Sequence, residues 1–286
     1  MGMNVSVMIT TRNRADDLRR TCRVLESMNP PPLEVLITAD GCNDDTVSML
    51  LRELPEARIF IHETGVGSVA SRDEMMREAR GELVLSLDDD SYPEQSDCVS
   101  RIIPLFERDQ SLAVIHFPQR SDEYPETLAK TDFGEEHPTR SFANSGAVIR
   151  RSAYLKLPGF EPSFIHMYEE PDFALQCISS GFRVVLSPVL TIRHHYSGSS
   201  RSELRNHRRH ARNECWSTLM RCPFPQVIFL LIWRMISQGR FAASRGFSWL
   251  IREPLWWWDV LVGIPHALNR RKTVSWKAYR QWLSLP

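Results

Sequence analysis

The chain has 286 residues, room for one large domain with a full core and an appendage. Lysine plus arginine and aspartate plus glutamate each total 35, so no global field directs it to nucleic acid or to an acidic partner. The opening MGMNVSVMITTRNR lacks the basic region and apolar length of a secretory signal, and no segment reaches the ~18 apolar residues of a membrane span.

Residues 5–10 (VSVMIT) read as a first buried strand, followed by polar Thr11-Arg12-Asn13-Arg14 and a helix capped by Asp16 or Asp17 that ends before Pro30-Pro31-Pro32. Residues 34–39 form a second strand finishing on Asp40, and Asp44 or Asp45 caps a helix over 46–53. Residues 58–62 are a short third strand. Gly65-Val66-Gly67-Ser68 then leads into a helix carrying Arg72, Asp73 and Arg77. Next comes GELVLSLDDDSYP, an apolar run that ends in Asp88, Asp89 and Asp90, with Tyr92-Pro93 expected to stop the strand. Strand and helix alternate at the spacing of a mainly parallel sheet covered on both faces. Acids at the carboxyl ends of two of its strands face the crevice where such sheets bind ligands. Three adjacent acids repel, and a divalent cation or ribose hydroxyls would relieve them; a solvated acidic loop is the alternative.

Residues 112–117 are a further strand. Residues 118–140 are polar and proline-punctuated, a long excursion able to move. Residues 144–151 read as a strand, Ser152 as the start of a short helix, and YEEPDFALQ as the acidic first turn of a helix that Gly181 closes. Residues 182–187 are another strand, ahead of Ile192-Arg193-His194-His195. From Arg201 to His210 the chain is strongly basic. The remainder is helical in tendency and holds all eight tryptophans. It fits either a packed helical appendage or helices lying at a membrane interface. Six cysteines (Cys22, Cys42, Cys98, Cys177, Cys215, Cys222), none two residues apart, read as free thiols of a cytoplasmic protein, possible contact with the inner membrane face being confined to the C-terminal helices.

These motifs, in this order, resemble the inverting family 2 glycosyltransferases of the GT-A fold, including rhamnosyltransferase-like members that build polysaccharides and cell-surface glycans. The resemblance covers residues 4–215. VSVMITTRNR resembles the family's first strand, EVLITADGCNDDT its second, GVGSVASRDEMMREARGELVLSLDDD its arginine-bearing helix and DxD strand, YEEPDFALQ its late acidic motif, and GFRVVLSPVLTIRHH the strand whose histidine joins the metal. It implies a GT-A nucleotide-sugar-binding domain over 1–205 and a helical, Trp-rich extension over 206–286. Thr10 and Asp40 would contact the base, with Arg12 where an aromatic often stacks on it. Arg72 would meet the diphosphate or base, Asp88 and Asp89 the ribose, and Asp90 and His194 an Mg²⁺ or Mn²⁺ ion, with His195 competing for the last role. Glu170 would be the base that takes the proton of an acceptor hydroxyl, ionised at neutral pH if unperturbed. Gln176 stands where an arginine is common. One base with no second carboxylate nucleophile implies direct displacement, so a hexosyl or deoxyhexosyl unit would pass with inversion from a nucleoside diphosphate donor to a glycan, lipid-linked or small-molecule acceptor.

Each residue also has an ordinary reading. Asp40-Gly41 is turn chemistry, Arg72 a surface helical arginine, the acids of YEEPD a dipole cluster, and His194-His195 loop residues. A sugar nucleotidyltransferase would want a glycine-rich loop after the first strand, which TTRNR lacks; a non-catalytic sugar-nucleotide-binding subunit would have no need of both Glu170 and the acid triplet.

Overall fold

The computed structural model describes residues 2–196 and 202–286. Its strands and helices run β1 (Val5–Thr11), α1 (Ala15–Glu26), β2 (Glu34–Asp40), α2 (Thr46–Glu53), β3 (Arg58–His62), α3 (Ser68–Glu78), β4 (Leu83–Asp88), β5 (Ser91–Pro93) and α4 (Cys98–Arg108). They continue with β6 (Leu112–His116), β7 (Gln119–Ser121), β8 (His137–Pro138), β9 (Ala147–Arg150), α5 (Arg151–Lys156), α6 (Glu169–Ser179), β10 (Arg183–Leu186) and β11 (Ile192–His194). Five helices close the chain: α7 (Glu203–Arg221), α8 (Gln226–Arg245), α9 (Phe247–Leu250), α10 (Glu253–Asn269) and α11 (Trp276–Leu283).

The main sheet has the order β3-β2-β1-β4-β9-β6-β10-β8. Strands β1 to β4 pair in parallel and β9 runs antiparallel between β4 and β6, which makes the sheet mixed and mostly parallel, as expected. Side chains alternate across it because successive Cβ atoms point to opposite faces. Val5, Val7 and Ile9 of β1, with Leu83, Leu85 and Leu87 of β4, join one apolar cluster with α1, α2 and α4. Met8 and Val84 join the other, which reaches through α3, α5 and α6 into α7, α8, α10 and α11. The C-terminal helices therefore share a core with the sheet. The 205/206 division expected from the sequence falls inside α7, and Arg201, the first residue of the basic run, lies outside the described residues.

Several local readings are corrected. Tyr92-Pro93 does not end β4. That strand stops at Asp88, whose N–H donates to Ser91 Oγ (2.8 Å), and Tyr92 and Pro93 belong to a second sheet of order β5-β11-β7. The proline-rich excursion is built into the fold, with β7 in that small sheet and β8 at the edge of the main one. The strand read over 144–151 is shorter, because residues 144–146 form a 3₁₀ turn ahead of β9. Asp16 and Asp17 occupy the first turn of α1 and not its cap, which is Arg14. All six cysteines are free thiols.

Candidate active site

In parallel pairing, β1 lies between β2 and β4, with Thr10 opposite Thr38 on one side and Asp88 on the other. The carboxyl ends of the three strands thus open onto one cleft of about 540 Å³. Its walls carry Thr10, Arg12, Asp40, Arg72, Asp88 and Asp89, six residues expected from the sequence to contact the donor. Asp40 is buried. Its Oδ1 accepts from Val66 N–H (2.8 Å) and lies 3.1 Å from His62 Nδ1, while Oδ2 accepts from Gly67 N–H (2.9 Å). This fixes the turn into α3. Gly67 has φ +101° and its α-carbon faces Ile165 so closely that a side chain would collide with backbone, hence the glycine.

The three acids of the triplet have different partners. Asp88 accepts from Arg72, whose Nη1 also lies 3.7 Å from Glu169 Oε1. Asp89, expected at the ribose, is 4 % exposed; its Oδ2 accepts from Thr11 Oγ1 (2.8 Å) and its Oδ1 from Arg14 Nη1 (2.7 Å). Burial pushes its carboxyl up to about 7 even against the pull of Arg14. Asp90 is fully buried. Burial alone would raise its pKa, but His194 and Arg14 outweigh it and hold the carboxyl down to about 2. Arg14 Nη2 donates to Asp90 Oδ2 at 2.7 Å, so one guanidinium bridges two of the three acids. The sequence reading passed over Arg14; its signal was a cation just past the end of the strand beside the triplet.

His194 Nε2 lies 3.2 Å from Asp90 Oδ1. Its Nδ1 lies 3.1 Å from Gln119 Oε1, and the Gln119 amide nitrogen donates to Ser145 Oγ (2.6 Å), so the amide presents its oxygen and Nδ1 carries the proton. This orients the ring with Nε2 toward Asp90. His195 points elsewhere, with Nε2 2.8 Å from Tyr92 Oη and Nδ1 3.5 Å from Asp122. One ligand atom each from Asp88, Asp90 and His194 lie within 4.8 Å of one another. Two carboxylates and an imidazole are a donor set that suits Mn²⁺ or Mg²⁺, with other positions left to ligand oxygens and water.

Glu170 stands in the first turn of α6, beside Glu169 and Asp172. Burial, then the neighbouring Glu169, push its carboxyl well above the usual range. Glu170 is not among the cleft-lining residues; Glu169, its neighbour, joins the cleft through Arg72. Residues 165–168 hold an unusual run of backbone, with positive φ at Ile165, Met167 and Tyr168. Asn213 of α7 secures it, its Nδ2 donating to the carbonyls of Phe164 (3.0 Å), His166 (3.0 Å) and Met167 (2.7 Å). Asp172 bonds the guanidinium of Arg221, also on α7. Gln176 ties Asp172 to Gly159.

Helix α7 and its N-cap Ser202 also close one side of the cleft, with Arg205, Asn206 and Arg209. Arg205 and Arg209 have no carboxylate partner among the described residues, and burial, then Arg205 and Arg12, lower the Arg209 pKa. Like charges gathered without counter-charge suit an anionic ligand. The sequence showed the basic run but not that its helix lies over the cleft.

Residues 6–255 match the family model of glycosyl transferase family 2. The chain belongs to that family. It is a glycosyltransferase, 28 % identical over 207 residues to the uncharacterized glycosyltransferase YwdF of Bacillus subtilis (strain 168), a match covering 68 % of this chain and 75 % of that protein. Its fold is that of GT-A enzymes. The structure of GalNAc-T7 with UDP, GalNAc and Mn²⁺ superposes with a TM-score of 0.62 at 15 % identity, covering 76 % of this chain and 48 % of that one. The mannosyltransferase PcManGT from Pyrobaculum calidifontis, in complex with GDP-Man and Mn²⁺, gives 0.59 at 16 % identity, covering 99 % of this chain and 88 % of that one. S. aureus TarS gives 0.60 at 16 % identity over 93 % of this chain and 49 % of its own. At such identities the likeness is one of fold.

Proposed function

We propose that this family 2 glycosyltransferase moves a hexosyl or deoxyhexosyl unit from a nucleoside diphosphate sugar to an acceptor hydroxyl by direct displacement, inverting the anomeric carbon, in assembly of a glycan or polysaccharide. The observation that carries this is the approach of Asp88, Asp90 and His194 to within 4.8 Å at the edge of the cleft. Two neighbours of the same fold were crystallised with Mn²⁺ and a nucleotide or nucleotide sugar.

In this reading Thr10, Arg12 and Asp40 receive the base. Asp88 meets the ribose and, with Asp90 and His194, holds the cation. Asp89 acts chiefly by fixing Arg14, which sets the position of Asp90. Arg72 keeps Asp88 oriented while facing the donor. When bound, the divalent ion would neutralise charge developing on the departing diphosphate. Arg205 and Arg209 would add to that from the opposite wall. Glu170 takes the acceptor proton. The 118–140 segment and α7 border the region an acceptor would occupy.

The test is transfer from UDP-, GDP- and dTDP-sugars with the product anomer read by NMR. Wild-type enzyme should give the inverted anomer with one donor class, and Glu170→Gln should bind that donor while losing transfer. Retention at the anomeric carbon, or normal turnover by Glu170→Gln, would refute the scheme.

A further inference from the structure

Among the described residues, 16 of the 24 large hydrophobic side chains left exposed lie between Phe224 and Leu268. They are not scattered. On α8, Ile228, Phe229 and Trp233 stand on the face turned away from α7, Phe229 being 70 % and Trp233 67 % exposed. The opposite face holds Arg234, which bonds Glu214 of α7. On α10, Leu255, Trp258 and Leu261 are outward, with Trp258 66 % exposed, while Trp256, Val260 and Gly263 are buried. Gly263 lies against the Trp216 ring of α7, with no room for a β-carbon. Both helices thus use one face on α7, and among the described residues nothing covers the other, more apolar face. An apolar area of this extent marks an interaction surface.

Charge says which kind. Residues 221–286 hold ten arginines and lysines against two acids. Both acids are engaged within the protein, Glu253 with His207 (2.8 Å) and Asp259 with Arg208 (2.6 Å). Arg240, Arg252, Arg270 and Lys272 are exposed. Tryptophans and aliphatics edged by cations, with no exposed carboxylate among them, match acyl chains beneath anionic head groups. No helix among the described residues is long and apolar enough to cross a bilayer, so the helices would lie along the surface.

We propose that the outward faces of α8 to α10 dock this enzyme on an anionic lipid bilayer. Phe229, Trp233 and Trp258 enter the acyl boundary, and the flanking arginines lie among the head groups. The inference rests on the helices alone and stands or falls separately from the assignment of the active site.

The full chain is mixed with vesicles of phosphatidylcholine, or of phosphatidylcholine with roughly one-third phosphatidylglycerol, and sedimented. The bound fraction should rise about tenfold with the anionic lipid and fall as salt is added. The triple variant Phe229→Glu, Trp233→Glu, Trp258→Glu should lose binding with its circular dichroism unchanged, since all three side chains are exposed. On wild-type protein, brominated lipids should quench the tryptophan fluorescence, a readout that needs no variant. Absence of sedimentation with anionic vesicles, or full binding by the triple variant, would overturn the proposal. So would a wild-type dimer in light scattering that the triple variant converts to monomer, which would assign the face to a second copy of the chain.

Discussion

Replacing Arg221 by methionine tests how α6, which carries Glu170, is held in place. Asp172 and Arg221 are 1 % and 2 % exposed. Asp172 Oδ1 accepts from Arg221 Nε (3.0 Å) and Ser217 Oγ (2.7 Å), and Oδ2 from Arg221 Nη2 (3.0 Å) and Gln176 Nε2 (2.7 Å). Arg221→Met fills much of the same volume but leaves a buried carboxylate without its cation. Breaking one side of such a pair costs about 3–5 kcal/mol. A chain of this size loses roughly 2–4 °C per kcal/mol, so Tm should fall by about 6–20 °C in calorimetry, with a matching shift of the urea midpoint. Changing both partners, Asp172→Leu with Arg221→Met, should recover most of that loss, because neither buried charge remains. A loss below about 1 kcal/mol for the single variant, or no recovery in the double, would refute the view that this pair anchors α6 to α7.

Three other outcomes follow from the same geometry. Glu170→Gln should lower kcat by about 10²–10⁴-fold with donor KM little changed; in wild type, kcat should rise with pH through a value well above the usual glutamate range, and a flat profile above pH 5 would contradict the burial argument. Asn213→Leu removes three bonds to the carbonyls of residues 164–167, and kcat should drop with the donor's affinity less affected; unchanged turnover would show that the segment holds itself. His116 is held neutral, burial lowering its pKa from 6.5 to about 4. Its folded pKa lies below its unfolded one, so its contribution is whole above pH 6.5 and is lost as pH falls toward 4, amounting to at most about 3 kcal/mol. His116→Gln should flatten that part of the stability–pH curve, with His210, shifted the same way, supplying the rest.

The strands of the first half were legible because each is a short apolar run closed by a helix signal, and two end on acids. Parallel pairing then brings Asp40 and Asp88 to one edge without further information. What sequence spacing could not show is which oxygen faces which partner. Asp88, Asp89 and Asp90 are adjacent, yet the turn closed by Ser91 sends one to Arg72, one to Thr11 and Arg14, and one to Arg14 and His194. Contributions from α7 were equally hidden. Asn213, Arg221, Arg205 and Arg209 lie at least 33 residues beyond the YEEPD motif in sequence and meet it, or the cleft, only through tertiary packing. The upward push on the Glu170 carboxyl comes from desolvation and from Glu169 beside it, which a motif does not encode.

The central claim, that Asp88, Asp90 and His194 would jointly hold a divalent cation that supports nucleotide binding, is tested most directly by titration calorimetry. UDP and GDP would each be titrated into wild-type protein and into Asp90→Asn, with Mn²⁺ and with chelator. The account predicts that Mn²⁺ tightens binding of one nucleotide at least about tenfold in wild type, the worth of one charge-assisted contact, and that Asp90→Asn abolishes the gain. Equal affinity with metal and with chelator, or an undiminished metal effect in Asp90→Asn, would contradict it.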